Sequence, residues 1–344
     1  MAVSPLAAAL KKAVGGNDTI QGVKVWLSTG FPPLNKAISG SYRGGFPSGR
    51  IIEMFGPSSA GKTLLATQAM ISAQRMGGIA VFLDHENSFV SELAAKYGLN
   101  IDEDDGQWVY KQPDTFEDSV ELTGKLLKTV RENKLIPDEA PIIIVYDSLA
   151  SMVPRSKFAK MEAGDDLGMN DNTALARATA ANFPTLAAWA RKYNCCMLFL
   201  NQIRTKIGVM FGDPTTSPGG NAPEFYASVR IKLGRSQIKE GSEKTGQSIG
   251  AECIKNKVSE PFQRATWDYY FDTDRGFDVI GSSIDHLCEV GILEKSSGYI
   301  KYGEKKYRRK ELVSFFEERG VEAMLPLFDK AEKKTALVEA SEEE

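Results

Sequence analysis

The feature that most limits what this chain can fold into is a strand, a glycine loop and a helix in immediate succession. Arg50-Ile51-Ile52-Glu53-Met54-Phe55 reads as a short buried strand. It runs into Gly56-Pro57-Ser58-Ser59-Ala60-Gly61-Lys62-Thr63, and Thr63-Leu64-Leu65-Ala66-Thr67-Gln68-Ala69-Met70-Ile71 follows as a helix packed closely on a sheet. The middle segment fills every fixed position of the phosphate-binding pattern G-x-x-x-x-G-K-[ST], in the structural context that pattern needs. Backbone N–H groups of such a loop wrap phosphates, and the helix start adds favourable partial charge. Lys62 reaches the outer phosphates and the Thr63 hydroxyl ligates Mg²⁺. The expected ligands are ATP and Mg²⁺, with Gly56, Pro57, Ser58, Ser59, Ala60, Gly61, Lys62 and Thr63 as the binding loop.

At 344 residues the chain has room for one large α/β core and a small appended domain. With 42% hydrophobic and 25% charged residues, and no uncharged apolar run near the length of a membrane span, it reads as a globular protein without a membrane partner. In Met1-Ala2-Val3-Ser4-Pro5-Leu6-Ala7-Ala8-Ala9-Leu10-Lys11-Lys12 the lysines follow the apolar stretch, the reverse of a secretory signal, and a cytoplasmic location is expected. Cys195, Cys196, Cys253 and Cys288 form no C-x-x-C, and His85 and His286 stand far apart, so no structural zinc is expected. The net charge of −3 argues against a surface basic throughout, so any nucleic-acid contact must rest on locally placed Lys and Arg.

After the phosphate loop, apolar runs alternate with helical stretches, the pattern of a mostly parallel sheet covered on both faces. Expected strands are Ile79 to Asp84, Ile142 to Asp147, Cys195 to Asn201, Ser228 to Leu233, Gly250 to Lys257 and Thr266 to Phe271. The last of these leave no room for crossover helices, which predicts an antiparallel section at one edge. Pro154 to Thr173 and Ile203 to Pro223 fit neither helix nor strand, and irregular connections of that length inside a compact domain are usually functional or disordered. The expected organisation is an N-terminal helix and linker (1–30), an ATPase core (31–271), a small mixed C-terminal domain (272–333) and an acidic tail (334–344), whose end from Glu339 to Glu344 reads as disordered.

Hydrolysis needs a carboxylate for the metal shell, a group to activate water and a sensor of the γ-phosphate. Pro141-Ile142-Ile143-Ile144-Val145-Tyr146-Asp147-Ser148 is an apolar strand ending in an acid, which assigns Asp147 to the Mg²⁺ shell. Glu86 follows the strand Ile79 to His85 at the end where open α/β sheets bind ligands, which suits water activation, with Asp84 as competitor for that role. Gln202, ending the Cys195 strand, could reach a γ-phosphate through its amide.

The segment from Asn201-Gln202-Ile203-Arg204-Thr205-Lys206-Ile207-Gly208-Val209-Met210-Phe211-Gly212-Asp213-Pro214 to Gly219-Gly220-Asn221-Ala222 closely resembles the RecA family of DNA recombinases. So do Tyr226-Ala227-Ser228-Val229-Arg230, Lys255-Asn256-Lys257 and the order of motifs around Gly56, Glu86 and Asp147, the likeness running from about Ser28 to Lys310. The resemblance implies a RecA-like P-loop core whose subunits form helical filaments on single-stranded DNA, with ATP between neighbours, and exchange strands with homologous double-stranded DNA. It implies that Glu86 activates water and Gln202 couples the γ-phosphate to the DNA loop. It further implies that Lys255 and Lys257 reach ATP bound by the adjacent subunit, although two lysines at i, i+2 on one strand face could equally be solvated. The stretch 203–221 becomes the principal DNA loop. Its chemistry suits single strands: Arg204 and Lys206 for phosphates, Gly208, Gly212, Gly219 and Gly220 for close backbone approach beside Asn221, and Ile207, Val209, Met210 and Phe211 as wedges against bases.

Arg155 and Arg177 align with basic positions flanking the family's other DNA loop, although Lys157 to Asn172 is longer than usual and carries Glu162, Asp165, Asp166 and Asp171. Where the family places an acid and an aromatic to hold adenine, this chain has Val90 and Leu93, while Phe271 keeps a second adenine-side aromatic. Glu224 stands where a lysine is usual, beside Phe225 at a position resembling the subunit interface. Lys295 and the cluster from Lys305 to Lys310 could guide duplex DNA or be a solvated face. Two other functions fit the same nucleotide loop: a ring-shaped helicase or motor, which would be expected to carry an arginine finger, and a regulatory ATPase with no DNA role, which leaves 203–221 unexplained.

Overall fold

The computed structural model describes residues 4, 6, 11–13, 22–205, 215–216, 218–271 and 276–342. Among these the central feature is an eight-stranded sheet. Its strands in chain order are β1 (Ile51–Gly56), β2 (Ile79–Asp84), β3 (Trp108–Lys111), β4 (Ile142–Asp147), β5 (Cys195–Gln202), β6 (Val229–Glu240), β7 (Glu243–Asn256) and β8 (Arg264–Tyr270). Across the sheet they run β8-β7-β6-β1-β5-β4-β2-β3. Pairing is parallel from β6 to β3 and antiparallel for β6–β7 and β7–β8, the antiparallel edge expected from the missing crossovers.

Successive side chains of a strand face opposite ways, and both faces here are apolar. Ile51, Ile142, Ile144 and Tyr146 join a core on one side, beneath helices α2 (Phe116–Glu132) and α4 (Ala174–Lys192). Ile52, Met54, Ile143 and Val145 join the core on the other, beneath α1 (Lys62–Arg75). This two-sided burial is why the strands read as unbroken apolar runs rather than alternating ones.

Three elements depart from the sequence-based expectation. Trp108–Lys111 is an edge strand of four residues, too short to show a period. The stretch 154–173 is mostly helical: Pro154 precedes α3 (Arg155–Ala163), Gly164 ends it at φ 72°, and a turn of helix covers Met169–Asn172. Ala, Met, Lys and Glu favour helix there, but α3 buries none of its residues, so no apolar stripe announced it. Of the acidic tail, residues 334–342 are helical. The final helix α8 (Leu325–Glu342) continues into it on Ala, Lys and Glu residues of high helix propensity.

The C-terminal unit has its own core, with Ile284, Leu287, Ile300, Leu312, Phe316 and Phe328 buried together. It contains α6 (Val279–Glu289), a three-stranded antiparallel sheet over Glu294–Arg308, and α7 (Arg309–Glu317). Tyr42, from the N-terminal part of the chain, is buried in the same cluster and its hydroxyl lies 2.9 Å from His286 Nε2, which ties this unit to the main body.

Candidate active site

The carboxyl ends of β1, β4 and β5 converge with the loop after β2 on a cleft of about 550 Å³. At its floor the phosphate loop is shaped by two glycines. A side chain at Gly56 would meet Leu233 at 2.8 Å, and Gly61 holds φ 80° at the start of α1, a conformation that disfavours other residues. Lys62 Nζ is folded over the loop and donates to Gly56 O (3.0 Å) and Pro57 O (2.9 Å). Burial lowers its pKa, an effect opposed by the charges of Asp147 and Glu86. Gln247 of β7 supports the loop from outside by donating to Ser59 O at 2.7 Å.

The Mg²⁺ assignment of Thr63 and Asp147 fits the donor set. Thr63 Oγ1 donates to Asp147 Oδ2 at 3.2 Å, so a hydroxyl and a carboxylate already share one corner of the cleft. Burial, and then the neighbouring Glu86 charge, raises the Asp147 carboxyl to about 7. A hard divalent cation bound by oxygen ligands would stabilise the anion there.

Glu86 and Asp84 differ in placement. Asp84 is buried, and its carboxylate accepts the backbone N–H groups of Glu86 (3.0 Å), Ser88 (3.1 Å) and Phe89 (3.1 Å) and the Tyr110 hydroxyl (3.0 Å). It organises the loop after β2. The Glu86 carboxylate points into the cleft, where its Oε1 accepts from Ser148, from Ser151 (3.1 Å) and from Gln202 Nε2 (2.7 Å). Gln202 therefore bridges the cleft and the stem of the 203–221 segment in one side chain.

At the far end of the cleft, Val90 and Leu93 are half-exposed apolar groups facing Tyr97, Tyr269 and the exposed Phe271. Burial, and then the nearby Tyr269, raises the Tyr97 phenol. A flat base fits here by stacking and apolar contact. Sequence reading missed Tyr97, Tyr269, Gln247, Ser148 and Ser151, because each is brought in by an element whose relation to the phosphate loop is set by sheet order.

Lys255 and Lys257 are not in this cleft. Lys255 lies six residues along β7 from the cleft-lining Ile249, about 20 Å at strand rise. Its Nζ donates to the carbonyls of Glu224 and Phe225 (3.0 Å), at the end of the short helix α5 (Ala222–Tyr226).

Of the 203–221 segment, Lys206, Ile207, Gly208, Val209, Met210 and Phe211 lie outside the described residues. The stems are closed by a ribbon in which Arg204 pairs with Thr216 and Thr205 with Thr215. Gly219 (φ 100°) and Gly220 (φ 69°) need glycine for the fold itself, since a Cβ would meet Leu149 or Ala176 at 2.8 Å; Asn221 caps α5. Arg155 sits at the start of α3 with Nη2 on Asp118 (2.6 Å) and Glu121 (2.8 Å), while Arg177 donates to Thr173 Oγ1 (2.6 Å) and Asn170 O (2.9 Å). Asp171 is neutralised by Lys160 at 3.1 Å, whereas Glu162, Asp165 and Asp166 are exposed. In the C-terminal unit Lys295, Lys305, Lys306, Arg308 and Lys310 are exposed, but Arg309 is held by Asp285 at 2.7 Å.

The RecA N-terminal domain family model matches residues 12–276, a span that includes every part of this cleft. The chain belongs to the RecA family. Protein RecA of Bacteroides thetaiotaomicron is 40% identical over 292 residues, covering 85% of this chain and 81% of that protein. Protein RecA of Treponema denticola is 37% identical over 309 residues, covering 89% and 69%. Among solved structures, the crystal structure of the RadB recombinase aligns with a TM-score of 0.50 at 20% identity, covering 73% of this chain and 98% of that one, which shows the shared fold. RecA-family proteins are DNA-dependent ATPases, and this member is a RecA-family recombinase. No described helix is long and apolar enough to cross a membrane.

Proposed function

We propose that this RecA-family recombinase assembles as a helical filament on single-stranded DNA in the cytoplasm, binds ATP and Mg²⁺ in the cleft above the phosphate loop, and pairs and exchanges that strand with homologous duplex. One observation carries the coupling of nucleotide to DNA: Gln202, on the stem of the 203–221 loop, donates directly to the Glu86 carboxylate in the cleft.

In this reading Gly56 to Thr63 hold the phosphates and Lys62 leaves the Gly56 and Pro57 carbonyls for the outer phosphates. Thr63 and Asp147 support the cation, which when bound polarises the phosphates and offsets developing charge. Glu86 orients and deprotonates water, with Ser148 and Ser151 fixing its carboxylate. Val90, Leu93, Tyr97, Tyr269 and Phe271 enclose the base. Lys255 and Lys257, too far from their own cleft, serve the nucleotide of a neighbouring subunit after Lys255 leaves the end of α5. The loop's Arg204 and Lys206 take phosphates, and Arg155 and Arg177 join once DNA displaces their present acidic and carbonyl partners.

The deciding experiment measures ATP hydrolysis with and without single-stranded DNA and images the complex formed with a slowly hydrolysed ATP analogue. Stimulation together with filaments is expected. A rate indifferent to DNA and an absence of filaments would overturn the reading.

A further inference from the structure

Glu53 is a carboxylate in the middle of the central strand β1, only 1% exposed, and the phosphate loop does not use it. A buried carboxylate is costly unless both oxygens are satisfied, and here they are, from opposite sides. Parallel register sets Arg230 of β6 directly beside Glu53, and Arg230 Nε donates to Glu53 Oε2 at 2.7 Å. From β5 on the other side, Asn201 Nδ2 donates to Glu53 Oε1 at 2.9 Å.

These partners connect Glu53 to both stems of the 203–221 segment and to the helix that follows it. Asn201, fully buried, also donates to Pro218 O at 3.0 Å and accepts the Gln202 backbone N–H at 2.9 Å. Arg230, 7% exposed and 5.0 Å from the Phe55 ring, extends Nη1 to Glu224 Oε1 at 3.0 Å. Glu224 lies on α5, the helix that follows the segment. The entry stem, the exit stem and the exit helix thus meet at one buried carboxylate.

We propose that Glu53, Arg230 and Glu224 form a charged clamp that transmits displacement of the DNA loop to Gln202, with Arg230 as the positioning residue. The proposal rests on the reading above, in which the loop binds DNA and Gln202 responds to the γ-phosphate. The two contacts of Arg230 differ in kind. The Glu53 contact is buried, and removing either partner strands a charge. The Glu224 contact has one side chain 65% exposed, so it breaks and re-forms at little cost. Breaking or re-forming Arg230–Glu224 as α5 moves therefore changes the pull on Arg230, which the buried Glu53 passes to Asn201 and so to the Gln202 backbone N–H.

Two variants test the clamp. Glu224→Gln removes the outer charge. Arg230→Lys keeps a cation beside Glu53 but replaces the planar fork with a point charge that cannot bridge both carboxylates. With poly-dT as the DNA, kcat and KM for ATP are measured with and without DNA, alongside the thermal midpoint and imaging of filaments with the slowly hydrolysed analogue. Both variants are expected to keep the DNA-free rate and KM within about twofold and to lose stimulation by about tenfold or more, with filaments still forming. Stimulation equal to wild type would overturn the clamp alone. Parallel loss of both rates with a lowered midpoint would make the triad merely structural, and loss of filaments would make Glu224 a subunit contact; either result overturns it. A wild-type protein without DNA stimulation overturns the functional reading and the clamp with it.

Discussion

Gln202 Nε2 donates to Glu86 Oε1 at 2.7 Å, so the proposed γ-phosphate sensor is in direct contact with the proposed water-activating carboxylate. In the proposed reading a bound γ-phosphate would compete for the same amide and so free Glu86 to engage water. Glu86→Gln is expected to lower kcat by about 10²–10³ with nucleotide affinity within a few-fold. Gln202→Ala is expected to lower kcat and abolish the response to DNA. Single-turnover hydrolysis and nucleotide titration, each with and without DNA, check both.

The position of Lys255 outside its own cleft makes a mixing experiment decisive. Lys62→Ala and Lys255→Ala should each be inactive alone. Mixed in equal amounts they should recover about a quarter of the wild-type rate, because one joint in four combines an intact Lys62 with a neighbour's intact Lys255 across a head-to-tail interface. No recovery would place the action of Lys255 within a single subunit.

Arg204 stands in the ribbon that closes the proposed DNA loop. Arg204→Ala should weaken single-strand binding and reduce the slope of log affinity against log salt by about 0.7, the share of one phosphate contact, while ATP binding is preserved. Binding isotherms at four salt concentrations measure the slope, and an unchanged slope would remove Arg204 from the interface.

His286 gives the junction of the C-terminal unit a pH dependence. Burial lowers its pKa to about 4, and its neighbour across the junction is the Tyr42 hydroxyl, itself raised to about 12 by burial and the Glu332 charge. Lys36 lies 5.9 Å above the Tyr42 ring, and Arg43 pairs with Asp329 nearby in sequence. A depressed histidine pKa contributes stability that is complete above the unfolded value near 6.5 and lost as pH falls toward 4. His286 is partly exposed, so the loss is about 2 kcal/mol rather than the full value of the shift. His286→Gln should erase that part of the acid sensitivity. Unfolding free energies of wild type and variant from pH 7 to pH 4 should converge, and a constant difference would refute the assignment.

Much of the candidate nucleotide site was legible because its chemistry is local in sequence. The phosphate loop lies between a strand and a helix that it joins, and Glu86, Asp147 and Gln202 each sit at or just past the end of an apolar strand, where parallel sheets present their ligand-binding edge. The helix at Arg155–Ala163 was hidden because an exposed helix leaves no apolar stripe. Ser148, Ser151, Tyr97 and Tyr269 were hidden because serines and tyrosines become site residues only through what faces them.

The sequence by itself determined most strands of the central sheet, their alternation with helices and the identity of the candidate reactive groups, since hydrophobic period and loop chemistry act over a few residues. Only the tertiary structure decided which groups meet. Strand order put β1 between β5 and β6, and that adjacency made Glu53 a partner of Asn201 and Arg230, 148 and 177 residues away. It also decided between two carboxylates two residues apart: Asp84 is buried and spent on backbone N–H groups, while Glu86 reaches the cleft. Pairing across a sheet depends on free energy summed over the whole core, and no short stretch of sequence encodes that sum.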